Sequence, residues 1–317
     1  MCSPSPCSWH QGDKWQKLLQ IYDGIAETMF EESRVIATRF GKTQVHTSGN
    51  PNHPKLVFFH GISTNSLMFG DWLFPELSKQ YFCIAIDTIG DLGRSCPRDG
   101  DPSNGPGNEQ EMADWVMEVL DQCGTTQKTV EKVDMVGYSF GCFIASCAAK
   151  YYPDRVRKLV LLAPVGILAP VRKLWLAQAI SFAVVSQFLP QDGRLAGGLR
   201  TWFFGSMMAD TASMENLKYP ELRKASDAVG GPQVKVQPTV WELETMEALT
   251  KEIPTLMIIG RQENVVDGKV AIKTAQKIRS GMQVKVYENA GHMFFCEEPK
   301  DRVAGDIAQF INMDVGR

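Results

Sequence analysis

Metal-type spacing is missing from this sequence. Its eight cysteines (Cys2, Cys7, Cys83, Cys96, Cys123, Cys142, Cys147 and Cys296) include no CxxC pair, and several sit in apolar runs such as Tyr81-Phe82-Cys83-Ile84. The pattern predicts free, mostly buried thiols in a reducing compartment, with no metal ligands and no cofactor. Charge of one sign is lacking too. A formal net charge of −3 gives no reason to expect nucleic acid or an acidic membrane surface as a partner. Long apolar runs are absent: the longest, 174–189, is broken by Gln178, Ser181, Ser186 and Gln187. It falls short of the roughly 20 apolar residues that a spanning helix needs. The start, Met1-Cys2-Ser3-Pro4-Ser5-Pro6, has no basic segment followed by an apolar core, so no signal peptide is expected and the predicted location is cytoplasmic. No repeat or low-complexity tract occurs.

What is present is an ordinary globular composition. With 44% hydrophobic and 22% charged residues, a sizeable core is within reach, and 317 residues leave one large domain or two small ones open. The first residues look disordered. Trp15, Leu18, Leu19, Tyr22, Ile25 and Met29 then recur at helical spacing. Short, largely apolar segments at 55–59, 81–86, 133–136, 158–162 and 255–259, and a further strand at 283–287, alternate with helical patterns near 109–120, 140–151, 270–278 and 303–311. Strands apolar throughout, separated by amphipathic helices, are what a mostly parallel sheet covered on both faces requires. Between about 165 and 250 the alternation stops and the chain turns helical in tendency. The predicted organisation is an α/β fold: an N-terminal extension and helix over 1–30, a core from 31–164 and 251–317, and a helical lid over 165–250.

The chemistry centres on Gly137-Tyr138-Ser139-Phe140-Gly141. A GxSxG run is weak alone, but Val133-Asp134-Met135-Val136 before it reads as a strand and Cys142-Phe143-Ile144-Ala145-Ser146 after it opens a helix. Such a strand–turn–helix exposes the serine hydroxyl and aims helix N-terminal amides at developing negative charge. A serine needs a base, and histidine is scarce. His10 lies in the unpatterned start, His46 and His53 lie in an N-terminal hairpin region, and His60 precedes a glycine. That leaves His292, just past the last strand at the edge where parallel sheets bind ligands. The orienting acid should follow the strand at 255–259. Glu263 and Asp267 both qualify by position. Glu263 is preferred because it lies on the short loop straight after that strand, while Asp267 reads as the N-cap of the next helix. An acid after the preceding strand is excluded, since 155–191 contains no Asp or Glu. The backbone N–H groups of Ile62, after His60-Gly61, and of Phe140 are the candidate oxyanion donors. Tyr138, Ser63, Trp175 and Met208 are the candidate substrate contacts.

On these residues the chain resembles the α/β-hydrolase superfamily, and within it lidded, lipase- and esterase-like proteins with a His-Gly loop. The matching segments are His60-Gly61, Asp87-Thr88-Ile89-Gly90-Asp91-Leu92-Gly93-Arg94-Ser95, the elbow, Gly260-Arg261-Gln262-Glu263 and Ala290-Gly291-His292-Met293-Phe294-Phe295. Residues 22–95 also resemble carboxylesterase-like bacterial members with an extra N-terminal helix. There are two departures. The acid is usually aspartate, so Glu263 needs a slightly shifted backbone, and Cys142 stands where another glycine is common. Serine at the elbow argues against dehalogenases and epoxide hydrolases, relatives that carry aspartate there. The resemblance implies a serine esterase acting on an apolar small-molecule ester or acyl substrate. The lid residues Leu174, Trp175, Phe182, Phe188, Trp202, Phe203, Phe204, Met207 and Met208 suit such a substrate, although each taken singly reads as packing. A ligand-sensing or cyclising homologue with little turnover is the alternative, and no feature speaks for a non-enzymatic interaction protein. The sequence does not fix an oligomeric state.

Overall fold

The structure, a computed structural model, describes residues 10–124, 132–279, 281–297 and 300–313. In chain order the elements are α1 (Asp13–Met29), β1 (Glu32–Thr38), β2 (Gly41–Ser48), β3 (Lys55–Phe59), α2 (Phe74–Leu77), β4 (Phe82–Ile86), β5 (Cys96–Pro97), α3 (Glu109–Gln122), β6 (Val133–Tyr138), α4 (Phe140–Tyr151) and β7 (Val156–Leu162). There follow α5 (Lys173–Ser186), α6 (Arg194–Gly205), α7 (Pro220–Val229), α8 (Leu243–Glu252), β8 (Thr255–Gly260), α9 (Gly268–Lys277), β9 (Met282–Tyr287) and α10 (Lys300–Asn312).

The strands form one sheet in the order β1-β2-β4-β3-β6-β7-β8-β9, with β5 paired to β2. The β1–β2 hairpin and the β2–β4 pair are antiparallel, and every pair from β4 through β9 is parallel. Successive residues of a strand face opposite sides, and both sides here are apolar. Val57 and Phe59 join Trp115 and Val116 of α3, Phe143 and Ile144 of α4, and Ile272 of α9. Leu56 and Phe58 join Tyr22 of α1, Leu77 of α2, and Ile307 and Phe310 of α10. Every residue of β6 and β8 is buried, which explains why neither strand alternates polar with apolar. Each fully buried Leu or Phe contributes about 1.5–3 kcal/mol, so these two layers dominate the stability of the fold. This is an α/β fold, a mostly parallel sheet covered by helices on both faces.

α1 presents Trp15, Leu18, Leu19, Tyr22 and Ala26 on its buried side. The Tyr22 hydroxyl donates to Asp87 Oδ2 at 2.7 Å, just past β4, and fixes the helix to the sheet edge. The expected disorder of the first nine residues lies outside the described residues. His10 corrects the picture at their boundary: it is buried against Trp15, ring centroids 4.8 Å apart, and burial lowers its pKa to about 4. The thiols of Cys83, Cys123, Cys142, Cys147 and Cys296 are free and buried. Cys96 departs from the expectation of free thiols. It sits on the short edge strand β5, outside the two packed layers, and is disulfide-bonded.

Between β7 and β8 the chain leaves the sheet for α5 to α8. The two ends of this insertion meet where Ile167 N–H donates to Thr239 O at 2.8 Å, and it is tied to the core at Arg172, whose N–H donates to Val265 O at 2.9 Å. Among the described residues no helix is long and apolar enough to cross a membrane.

Candidate active site

The carboxyl ends of β6, β8 and β9 bring three side chains together. Ser139 follows β6 directly, with φ 55° and ψ −116°, a left-handed conformation that costs a non-glycine residue energy. The turn is tight enough to demand glycine on either side. A Cβ on Gly137 would lie 2.4 Å from Gly141 O, and one on Gly141 would lie 1.9 Å from Phe59 O. Although Ser139 occupies the N-cap of α4, its side chain makes no capping bond, so the hydroxyl is directed elsewhere. It meets His292 Nε2 at 3.0 Å.

His292 lies on the loop after β9. Its Nδ1 is 2.7 Å from Glu263 Oε2. The other carboxylate oxygen of Glu263 accepts from the N–H groups of Val265, at 2.7 Å, and Val266, at 3.4 Å. The side chain is fully buried and can take only this orientation with its acceptors filled. A carboxylate facing Nδ1 fixes the proton there, which leaves Nε2 to accept from the serine. The arrangement can therefore move the Oγ proton to the imidazole while an anionic partner holds the ring. Asp267, the other acid considered, is exposed and caps α9, its carboxylate accepting from Val270 N at 3.1 Å.

Opposite the serine lies the loop after β3. A Cβ on Gly61 would lie 3.2 Å from Ser139 Cβ, so the backbone leading into Ile62 packs directly on the serine. The His60 imidazole is turned away. Its Nδ1 lies 2.8 Å from Gly61 O and its Nε2 accepts from Thr88 N at 2.8 Å. It orders the loop, and burial lowers its pKa. Ser63 stands in the left-handed region at φ 61°, and both oxygens of Asp91 accept its N–H, at 3.0 and 3.2 Å. Asp91 also accepts from Leu92 N at 2.8 Å. Burial holds its carboxyl well above the ordinary carboxylate range in spite of these donors.

The expected substrate contacts fare differently. Met208 is buried against the histidine loop: a Cβ on Gly291 would lie 2.8 Å from the Met208 carbonyl carbon. Trp175 is half-buried beside Phe203, ring centroids 6.1 Å apart, with an indole N–H that has no partner among the described residues. Ser63 is half-buried on the loop facing the serine. Tyr138 is buried, and its hydroxyl donates to His292 O at 2.8 Å, so that group holds the histidine loop. Leu174 and Phe188, grouped with the apolar lid residues, point to solvent because the opposite side of α5 packs inward.

Sequence reasoning passed over Glu297. It is buried, its carboxyl is raised by burial, and it bridges two segments. One oxygen accepts from Gly291 N at 2.8 Å; the other accepts from Ala209 N at 2.6 Å and Asp210 N at 3.4 Å. Met207 O in turn accepts from His292 N at 2.7 Å. The helical insertion and the histidine loop are thus tied together by backbone groups, which leave no mark on residue type.

A model described as the alpha/beta hydrolase fold matches residues 54–299. The chain belongs to that family. An uncharacterized carboxylesterase of Bacillus subtilis (strain 168) is 26% identical over 292 residues, covering 90% of this chain and 88% of the relative. Carboxylesterase YbfK of the same strain is 25% identical over 280 residues, covering 85% and 84%. The crystal structure of naproxen esterase (carboxylesterase NP) from Bacillus subtilis superposes with a TM-score of 0.79 at 24% identity, covering 95% of this chain and 99% of that one. The chain is an esterase-like member of the α/β hydrolases.

Proposed function

We propose that this α/β hydrolase is a serine esterase that cleaves apolar carboxylic esters through an acyl-enzyme. The observation that carries the reading is the chain of contacts Ser139 Oγ–His292 Nε2–Glu263, at 3.0 and 2.7 Å, built on a strained elbow. Ser139 Oγ attacks the ester carbonyl as its proton passes to Nε2. The carbonyl oxygen becomes an oxyanion that the N–H groups of Ile62 and Phe140 stabilise, and Glu263 stabilises the imidazolium. Collapse expels the alcohol, which takes the proton from Nε2. Water then attacks the acyl-serine by the same route, restoring serine and releasing the acid.

The preference for apolar acyl groups is supported by the wall of the insertion. Phe182 and Phe203 stack at 4.5 Å, Phe204 packs edge-on, and Met207 and Met208 join the same core cluster as Phe140. The names of the carboxylesterase relatives point the same way. The test is a panel of p-nitrophenyl esters from short to long chain, with a thioester and a lactone, followed by intact-mass detection of quenched enzyme. Turnover of the esters with a mass gain equal to the acyl group is expected. Processing of the lactone alone, or tight binding without turnover, would replace esterase by the cyclising or sensing alternative.

Glu297 is proposed as a positioning residue for His292. Glu297→Ala removes acceptors for three N–H groups and frees the loop. A small displacement of a reacting group costs on the order of 10²-fold, so kcat should fall about ten- to a hundredfold with a smaller change in KM. Glu297→Gln, which keeps one acceptor oxygen, should recover part of the loss. A KM effect with kcat intact would assign Glu297 to packing of the insertion alone.

A further inference from the structure

We propose that the outer face of α5 and the start of α6 form a docking surface for an anionic lipid bilayer. α5 is apolar on all sides. Its inner side packs through Phe182 on Phe203, yet Leu174, Leu176, Ile180 and Val184 remain exposed on the outer side. Phe188, in the turn after α5, is 82% exposed, and Leu195 on α6 is 76% exposed. α5 and α6 pack on one another, so these residues crown one part of the insertion. A large exposed apolar patch of this kind marks an interaction site.

Charge selects the occupant. Arg172 and Lys173 stand at the start of α5 and Arg194 at the start of α6, all exposed and, among the described residues, outside any ion pair. The acids close by are engaged: Asp192 pairs with Lys224 at 2.7 Å and Asp227 with Arg200 at 2.6 Å. The stretch 155–191 has no Asp or Glu at all. Three unpaired cations at the rim of an apolar face suit phosphate headgroups above acyl chains. A second copy of the chain fits less well, since a two-fold interface would oppose each cation with the same basic surface. The whole-chain net charge of −3 averages this local excess away. At 14 residues, α5 is about 21 Å long and too short to cross the hydrocarbon core, so it lies in the plane of the surface.

The full chain should float with vesicles of phosphatidylcholine containing phosphatidylglycerol, and far less with phosphatidylcholine alone. Each of Arg172→Ala and Arg194→Ala should weaken binding on the order of fivefold, and high salt should weaken it further. The double variant L174D/F188D changes only exposed side chains, so it should melt as the parent does but bind at least about tenfold more weakly. Absence of flotation, equal binding to neutral vesicles, or unimpaired binding by the folded double variant overturns the proposal. So does a dimer in sedimentation equilibrium that the same variant dissociates, which would give the face to a second copy. Because the readout is binding, these outcomes do not depend on the esterase reading.

Discussion

Ser139→Ala should abolish both turnover and the one-equivalent adduct that a fluorophosphonate forms with the parent protein. Ser139 is the side chain at the elbow: its Oγ meets His292 Nε2 at 3.0 Å, and the N–H of Phe140 is the first of α4. Removing a nucleophile that works as a unit with its base lowers kcat by about 10⁶. What remains is the smaller acceleration from oxyanion donors and binding. The fold should survive, because the serine side chain makes no capping bond and the tight turn is set by Gly137 and Gly141. A melting temperature within a few degrees of the parent is therefore part of the expectation. An adduct that persists in the alanine variant, or that maps to Ser63 across the site, would refute the nucleophile assignment.

The parts of this molecule legible in its sequence are those fixed by local sterics or by periodicity. Apolar segments marked β3, β4, β6, β7 and β8, because both faces of the parallel sheet are buried there. The GxSxG spacing marked the elbow, because no residue with a Cβ fits at Gly137 or Gly141. Scarcity did the rest. Of five histidines, four lay elsewhere, and the structure sets the fifth, His292, beside Ser139. What escaped notice depends on partners distant in sequence. Glu297 acts through N–H groups 88 and 87 residues away, which any residue type could supply. Asp91 stood inside a recognised segment, yet its grip on Ser63 requires the loops after β3 and β4 to meet. α5 is apolar all round, so periodicity could not say which side faces inward, and Leu174 and Phe188 were grouped with residues that line the interior. Tyr138 was named as a substrate contact, yet its hydroxyl is taken by the carbonyl of His292, 154 residues along the chain, a partner that no local pattern announces.

Replacing Glu263 and Asp267 separately should distinguish the two acids that the loop after β8 supplies. Glu263→Gln is expected to fold and to lose about 10⁴ in kcat. The loss follows from how an amide must sit in this site. Glu263 Oε1 accepts from Val265 N and Val266 N, while Oε2 faces His292 Nδ1. If the glutamine oxygen stays on the loop N–H groups, its NH₂ faces Nδ1 and drives the imidazole proton to Nε2, where it can no longer accept from Ser139. If the amide flips, Nδ1 keeps its proton but the buried Val265 N–H is left without an acceptor, at about 1–3 kcal/mol. The first arrangement satisfies more groups, so imidazole ¹⁵N shifts should report the reversed tautomer. Asp267 is exposed, and its bond to Val270 N caps α9. Asp267→Ala should cost about 0.5–2 kcal/mol of stability and leave turnover within a few-fold of the parent. A Glu263→Gln enzyme with near-normal kcat and an inactive Asp267→Ala would exchange the two roles and move the acid four residues along the chain.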